Sequence, residues 1–489
     1  MKKIAYKPIA LALTALLSAN SCTKDFDDLN TNPNSPLAVK AQYLLPTAIE
    51  SSVDRYWGHR TRFERINIDA AELYMQHLTR NIYSNEGDDY TVSVAVTNNN
   101  WKGFYNDAQV NFQRIIAISG DGGTTPNANY TGIAMIMRTW VFSLLTDMYG
   151  PIPYSEAIQG RAETPIYSPK YDSMESVYAA MLADLKTANA MLKVDGPAVA
   201  GDILYSGDIL KWKKFANSLR LRLANRQAKK KPAESKAIFA EILGNATTYP
   251  IFTSSKDNAQ LNCTTVLPSN NEWNQVMIRD GRTDWNMSKT LIDQMQSLND
   301  GRLAVYANKN SKGVYQGHPN GLPDAIATTF LSTSSTIGTY FTSPTAPEVI
   351  MTYAELNFIL AEAAIDGDIA GDPDAYFKAG VEASFAQYSL TPTADFLSKL
   401  GTATRAKILE QKWVALFGQG IEAWTEWRRT GLPVFPAPDP RAVLNNDGVL
   451  PTRFTYSTNE YSLNKAGVEG GVSLLGGKDD MKTKLWWAE

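Results

Sequence analysis

The chain has 489 residues, 44% apolar, 20% charged and 10% aromatic, an ordinary globular composition with ample material for a large core. Its 47 basic residues against 50 acidic ones leave a net charge of −3, which excludes the concentrated basic field that nucleic acid requires. Cys22 and Cys263 are too few for a disulfide framework or a zinc site, and His59, His77 and His318 are too scattered for a metal-ligand spacing. No metal and no cofactor are expected.

At the N-terminus Lys2, Lys3 and Lys7 form a basic region, Ile9 to Leu17 an apolar run too short to span a bilayer, and Ser18 to Ser21 a small-residue cleavage site. Residues 1–21 therefore read as a secretory signal peptide. Cys22 directly follows, in a pattern that resembles a bacterial lipobox, with Ala19 where a Leu is usual. Acylation of Cys22 supplies the anchor, since no other segment is long and apolar enough to cross a membrane. Residues 22–36 read as a tether. It holds the charged stretch Lys24-Asp25-Phe26-Asp27-Asp28 and then the turn formers of LNTNPNSP.

The body, 37–489, reads as mostly helical. Ala41 to Trp57 and Asp69 to Tyr83 are amphipathic, the second with Asp69 as N-cap and Glu72 completing a capping box. A polar loop follows from Asn81 to Asn100, then a helix from Trp101 to Ser119. From Ile133 to Tyr149 the apolar residues recur at i, i+3, i+4, i+7 without a fault over four turns, which predicts a largely buried helix. Gly150, Pro151 and Pro153 stop it. Further helices are expected at Tyr171 to Leu192 and within Asp202 to Arg226. In the latter Trp212, Phe215, Leu219 and Leu223 face inward, and Arg220, Arg222 and Arg226 read as ion-pair or capping residues rather than an anion site. From about 252 to 347 the periodicity is lost, apart from one helix at Ser288 to Leu298. Helices resume at Glu355 to Ala364, Tyr376 to Tyr388 and Ala406 to Thr430, the last interrupted near Gly418-Gln419-Gly420. The acidic run from Asp366 to Asp374 lacks the alternating ligands of a calcium loop and reads as a helix-connecting turn.

Several of these segments carry a resemblance. LTDMYGPIPYSEA after the central helix, KWKKFANSLRLRLANR at Lys211 to Arg226, TYAELNFILAEAA, ILEQKWVALFGQGIEAWTEWRRTGLP, and Arg453, Tyr456, Glu460 and Asn464 in the tail occur in order along the chain. Together they are similar to the SusD/RagB-like nutrient-binding lipoproteins of bacterial outer membranes. The resemblance implies TPR-like helix hairpins forming a partial solenoid, with the irregular region packed on it as the ligand-binding part. It implies a cell-surface protein that captures a nutrient, an oligosaccharide or in some members a peptide, and delivers it to a SusC-like TonB-dependent transporter.

Sugar capture needs aromatic rings against the apolar faces of sugar rings and polar side chains for the hydroxyls. The candidates are aromatics in polar, irregular stretches: Tyr90, Trp273, Trp285, Tyr315 and Tyr340. Each has a structural alternative as a loop-anchoring core aromatic, Trp285 most of all, because its neighbours match a framework segment of the family. No nucleophile-elbow, P-loop or dinucleotide-binding motif occurs, and no motif marks a catalytic carboxylate pair, so a binding protein rather than an enzyme is expected. An envelope scaffold that binds no small nutrient is the alternative from another class.

Overall fold

The computed structural model describes residues 39–59 and 61–488. The signal peptide, Cys22 and the tether lie outside the described residues. From Ala41 on, the chain folds as one unit.

It opens with α1 (Ala41–Trp57). A π turn at Asn67–Ala71 then runs into the single turn Glu72–Tyr74 and a short strand β1 (Leu78–Arg80). The helix expected up to Tyr83 thus ends at Tyr74. Gln76 takes a left-handed φ of 51°, and the following residues pair antiparallel with β3 (Trp285–Met287), Leu78 opposite Met287 and Arg80 opposite Trp285. Asp69 is no N-cap. Its carboxylate lies 3.2 Å from Arg65 Nε and 2.8 Å from Arg80 Nη2, so tertiary charge pairing overrides the capping-box pattern. The loop after β1 is shorter than expected, because Ser93 accepts from Ala95 N and starts α2 (Val94–Gly103). A π turn at Phe104–Gln109 links it to α3 (Val110–Ser119).

The central helix is α4 (Ala128–Tyr149), capped by Asn127 and closed by Gly150 at φ 96°. An L side chain is strained at that angle, and the two prolines beyond cannot continue the helix. α5 (Met174–Met191), α6 (Ile209–Gln227) and α7 (Pro232–Leu243) follow. α3 packs on α4, α4 on α5, α5 on α6 and α6 on α7. Each helix buries its apolar stripe between neighbours, which is why α4 is apolar almost all round. α9 (Tyr353–Ile365) and α10 (Pro373–Ala386) form the next hairpin, and α9 also packs on α6. This is the expected succession of helix hairpins in a mostly α fold. α11 (Ala394–Leu400), α12 (Arg405–Ala415), α13 (Gly420–Thr430), α14 (Thr458–Leu463) and α15 (Lys465–Leu474) complete the set. The break between α12 and α13 falls where the glycines predict it. Gly418 sits at φ 89°, and a Cβ there would lie 2.6 Å from the Trp57 ring.

The α6 arginines lie buried and point at other helices. Arg222 Nε donates to Glu355 of α9 at 2.6 Å, and Arg220 pairs with Glu241 of α7 at 2.5 Å. Arg226 is ion-paired with Asp147 of α4 at 2.6 Å and with Glu422 of α13. They are ion pairs as expected, but between elements rather than along one helix. The acidic turn at 366–374 is likewise structural. Asp366 pairs with Arg405, and Asp372 caps α10 by accepting from Asp374 N at 3.0 Å.

The irregular region holds β2 (Ala259–Leu261), β3, α8 (Lys289–Ser297, capped by Ser288) and β4 (Glu348–Met351). β2 and β4 pair antiparallel. Elsewhere its backbone pairs through isolated bridges, as between Ala307 and Ile337, and side-chain amides add further partners. Asn274 Nδ2 donates to Thr342 O at 2.7 Å, and Gln275 Nε2 to Asn270 O at 3.0 Å.

Candidate functional site

Three segments far apart in sequence meet around Asp88. The carboxylate is buried and accepts from Thr79 Oγ1 at 2.9 Å, Asn320 Nδ2 at 2.8 Å and Gly321 N at 2.9 Å. It therefore ties the loop after β1 to the irregular region. Desolvation pushes its pKa from 3.8 up to about 6, against the lowering by these donors. The third segment follows α13. Asn445 Nδ2 donates to Asp89 Oδ2 at 2.7 Å and to Thr91 Oγ1 at 2.9 Å, while Val443 N donates to Gly321 O at 2.9 Å. The run Pro436-Ala-Pro-Asp-Pro440 leads into this anchor. Its prolines cannot continue a helix and hold an extended strap across the surface.

Between the three segments lies a cleft of about 270 Å³. Tyr90, Leu73, Pro319, Pro436 and Pro438 give it apolar faces, and Gln76, Lys289, Thr290 and Asp293 give it polar edges. Tyr90 sits at φ 70°, which turns it out of the loop, and its ring rests edge-on against Tyr74 at 6.1 Å. Burial raises its hydroxyl to about 12, so the ring is neutral at physiological pH. Lys289 and Asp293 pair one turn apart on α8, and Thr290 donates to Gln76. Lys289 and Asp293 remain more than half exposed. The cleft thus offers one aromatic platform, proline faces, and donors and acceptors of both signs. Those groups can hold a neutral polyhydroxylated ligand by stacking and hydrogen bonds.

Of the five aromatics singled out in the sequence, Tyr90 lines this cleft and the other four do not. Trp273 is fully buried, with Nε1 donating to Trp57 O at 2.9 Å and its ring 5.4 Å from that of Trp57. It locks the irregular region onto α1 and presents no face to a ligand. Trp285 is buried in β3 beneath two guanidinium groups, Arg80 at 4.9 Å and Arg65 at 5.2 Å. Both are corrected from ligand-facing to core. Tyr315 is half-buried beside Lys309, whose Nζ lies 5.4 Å from the ring. Tyr340 is half-buried too, edge-on to Phe341 and Tyr388 at 5.1 Å each. The residues of α8 and the proline strap escaped the sequence reading. The strap had a signal in its alternating prolines; Lys289, Thr290 and Asp293 look like any solvated helix face.

A wider cleft, about 570 Å³, opens beside Trp101, Tyr105 and Tyr167 and is closed on one side by α14. No group of three or more His, Cys, Asp or Glu able to hold a metal ion occurs among the described residues. No helix among them is long and apolar enough to cross a membrane.

Comparison with known proteins places these features in context. A family model named SusD-like and described as starch-binding and associating with the outer membrane matches residues 33–457. Among solved structures, a chitin-binding protein superposes with a TM-score of 0.79 at 29% identity, over 92% of this chain and 100% of its own. A SusD homologue from Bacteroides uniformis does so with a TM-score of 0.79 at 25% identity, over 91% and 99%. A chitin-binding SusD homologue from Flavobacterium johnsoniae matches in fold, with a TM-score of 0.79 at 23% identity over 91% and 98%. No curated protein matches the chain.

Proposed function

Because the chain belongs to the SusD-like family of starch-binding proteins that associate with the outer membrane, we propose that it is a surface lipoprotein that captures an oligosaccharide in the Tyr90 cleft. It holds the sugar for transfer to a SusC-like TonB-dependent transporter. The observation that carries this is the meeting of three distant segments on one cleft, where a neutral tyrosine ring and prolines face unlike polar groups. A capture protein must hold and release. Stacking and hydroxyl hydrogen bonds suit that task, because ordering costs and imperfect polar pairing keep affinity modest. Binding in the micromolar to millimolar range is expected, about −8 to −4 kcal/mol. Starch-derived sugars follow from the family, and chitin-derived sugars from the relatives described as chitin-binding. A panel of immobilised oligosaccharides that includes both, probed with the purified protein, tests the function. Retention on at least one saccharide is expected. Retention on none, or on peptides instead, would overturn it.

Anchoring through acylated Cys22 is part of the same proposal. Cys22→Ala is expected to move the protein out of the outer-membrane fraction, either into soluble material or into an unprocessed form at the inner membrane. Unchanged fractionation of the variant would contradict the lipid anchor without touching the sugar site.

A further inference from the structure

The wider cleft is built differently from the Tyr90 cleft and is assembled from other elements. α14 is pinned against α2, with Asn98 Nδ2 donating to Thr458 Oγ1 at 2.8 Å and Thr458 N donating to Asn98 Oδ1 at 2.9 Å. Glu460 of α14 reaches inward, accepting from Trp101 Nε1 at 3.2 Å and from the Tyr171 hydroxyl at 2.9 Å. Both of its oxygens are thereby engaged in holding the wall. Asn464 Nδ2 donates to Pro169 O at 2.8 Å and fixes the opposite rim. The Tyr105 hydroxyl donates to Pro153 O at 2.8 Å. These bonds leave a formed concavity rather than a gap between loose segments.

Its exposed face pairs apolar and amide groups. Tyr167 is 78% exposed and Leu463 is 76% exposed, and both line the cleft. The Tyr167 ring lies along Gly160, where a Cβ would approach it at 3.7 Å, so the loop backbone supports the ring. The exposed amides of Asn106 and Asn459 lie on the same lining, and their side chains make no hydrogen bond among the described residues. Charge is nearly balanced, with exposed Lys102 against Glu460, whose oxygens are already engaged. An anion would meet a single solvated ammonium, and a cation a single carboxylate whose two oxygens already accept from Trp101 and Tyr171. A wholly apolar ligand would leave the amides unpaired. A neutral sugar satisfies all of it, with a ring face on Tyr167 and hydroxyls on the amides.

We propose that this cleft is a second saccharide site, independent of the Tyr90 cleft. A glycan chain long enough to reach both sites would gain avidity from the second engagement without any new contact. Short oligosaccharides would bind the two separately.

Calorimetry of the purified protein with maltoheptaose and with chitohexaose tests this, using the wild type, Tyr167→Ala, Asn459→Ala and Tyr90→Ala. The side chain of Tyr167 and that of Asn459 are exposed, and unchanged melting curves verify that these two variants fold. For at least one sugar the wild type is expected to bind at two sites. Tyr167→Ala should weaken one of them tenfold or more, and Asn459→Ala should weaken the same one. Tyr90→Ala should weaken only the other. A single wild-type site that Tyr167→Ala leaves unchanged would overturn the second site, as would no binding of either sugar. Loss of binding with Tyr167→Ala but none with Tyr90→Ala would uphold this cleft while removing the sugar from the first.

Discussion

Asp88 holds its proton to about pH 6, whereas an unfolded aspartate releases it near 3.8. Between those values the folded chain binds more protons than the unfolded one, so the contribution of this group to stability falls as pH rises through that window. The shift of about two units corresponds to about 3 kcal/mol at most. Asp88→Asn is expected to flatten that part of the stability profile, measured by urea melts at pH 4, 5, 6 and 7. An unchanged profile would mean that Asp88 is better solvated than its burial indicates. Arg226 tests the buried charge network. Arg226→Met leaves Asp147 and Glu422 without their shared cation, and a loss of about 3–5 kcal/mol is expected in the same assay. At this scale the sequence misled most over Trp273. Its neighbours Asn270, Asn271, Glu272, Asn274 and Gln275 look like a solvated loop, yet all are buried. They are polar because the irregular backbone around them needs hydrogen-bond partners, and local polarity cannot separate that need from exposure to water.

Elements with a repeating apolar stripe were legible. α4, α6, α9 and the break between α12 and α13 lie where periodicity and glycines place them, because each buries one continuous stripe against a neighbour. The segment at 69–83 was not legible. Its helical spacing holds up to Tyr74, but pairing of Leu78–Arg80 with Trp285–Met287 takes over, and that partner lies about two hundred residues away in sequence. The α7 helix was missed, since its Pro232 start reads as the end of the preceding helix although proline is well tolerated in a first turn. Trp140, midway along α4, and Trp212, in the first turn of α6, have no exposed surface. Trp140→Ala and Trp212→Ala are each expected to lower stability by about 3–5 kcal/mol. Trp212→Ala additionally removes one of the two donors to Asp202 Oδ2, the indole nitrogen at 2.8 Å, and leaves only Gly207 N. Denaturant melts check both, and a loss under about 1 kcal/mol would contradict core positions of this kind.

At the level of the whole molecule, the helix hairpins form a support, and the proposed site lies where that support meets non-repeating segments. Half of this was readable. The irregular region was expected to carry the ligand-binding part, and Asp88 and Tyr90 tie the loop after β1 to it. The third wall, from Pro436 to Leu444, was not readable, because its place depends on long-range bonds such as Asn445 to Asp89. Calorimetry of Tyr90→Ala against the wild type is the sharpest test of the proposed capture of a sugar in this cleft by stacking on Tyr90. Alanine replaces one L residue by another at the same left-handed angle, so the backbone strain is unchanged while the ring is lost. With the oligosaccharide selected from the panel, the wild type should bind and Tyr90→Ala should bind that cleft about tenfold more weakly or worse, as loss of a central aromatic contact does. Wild-type affinity and stoichiometry in a folded Tyr90→Ala protein would contradict it.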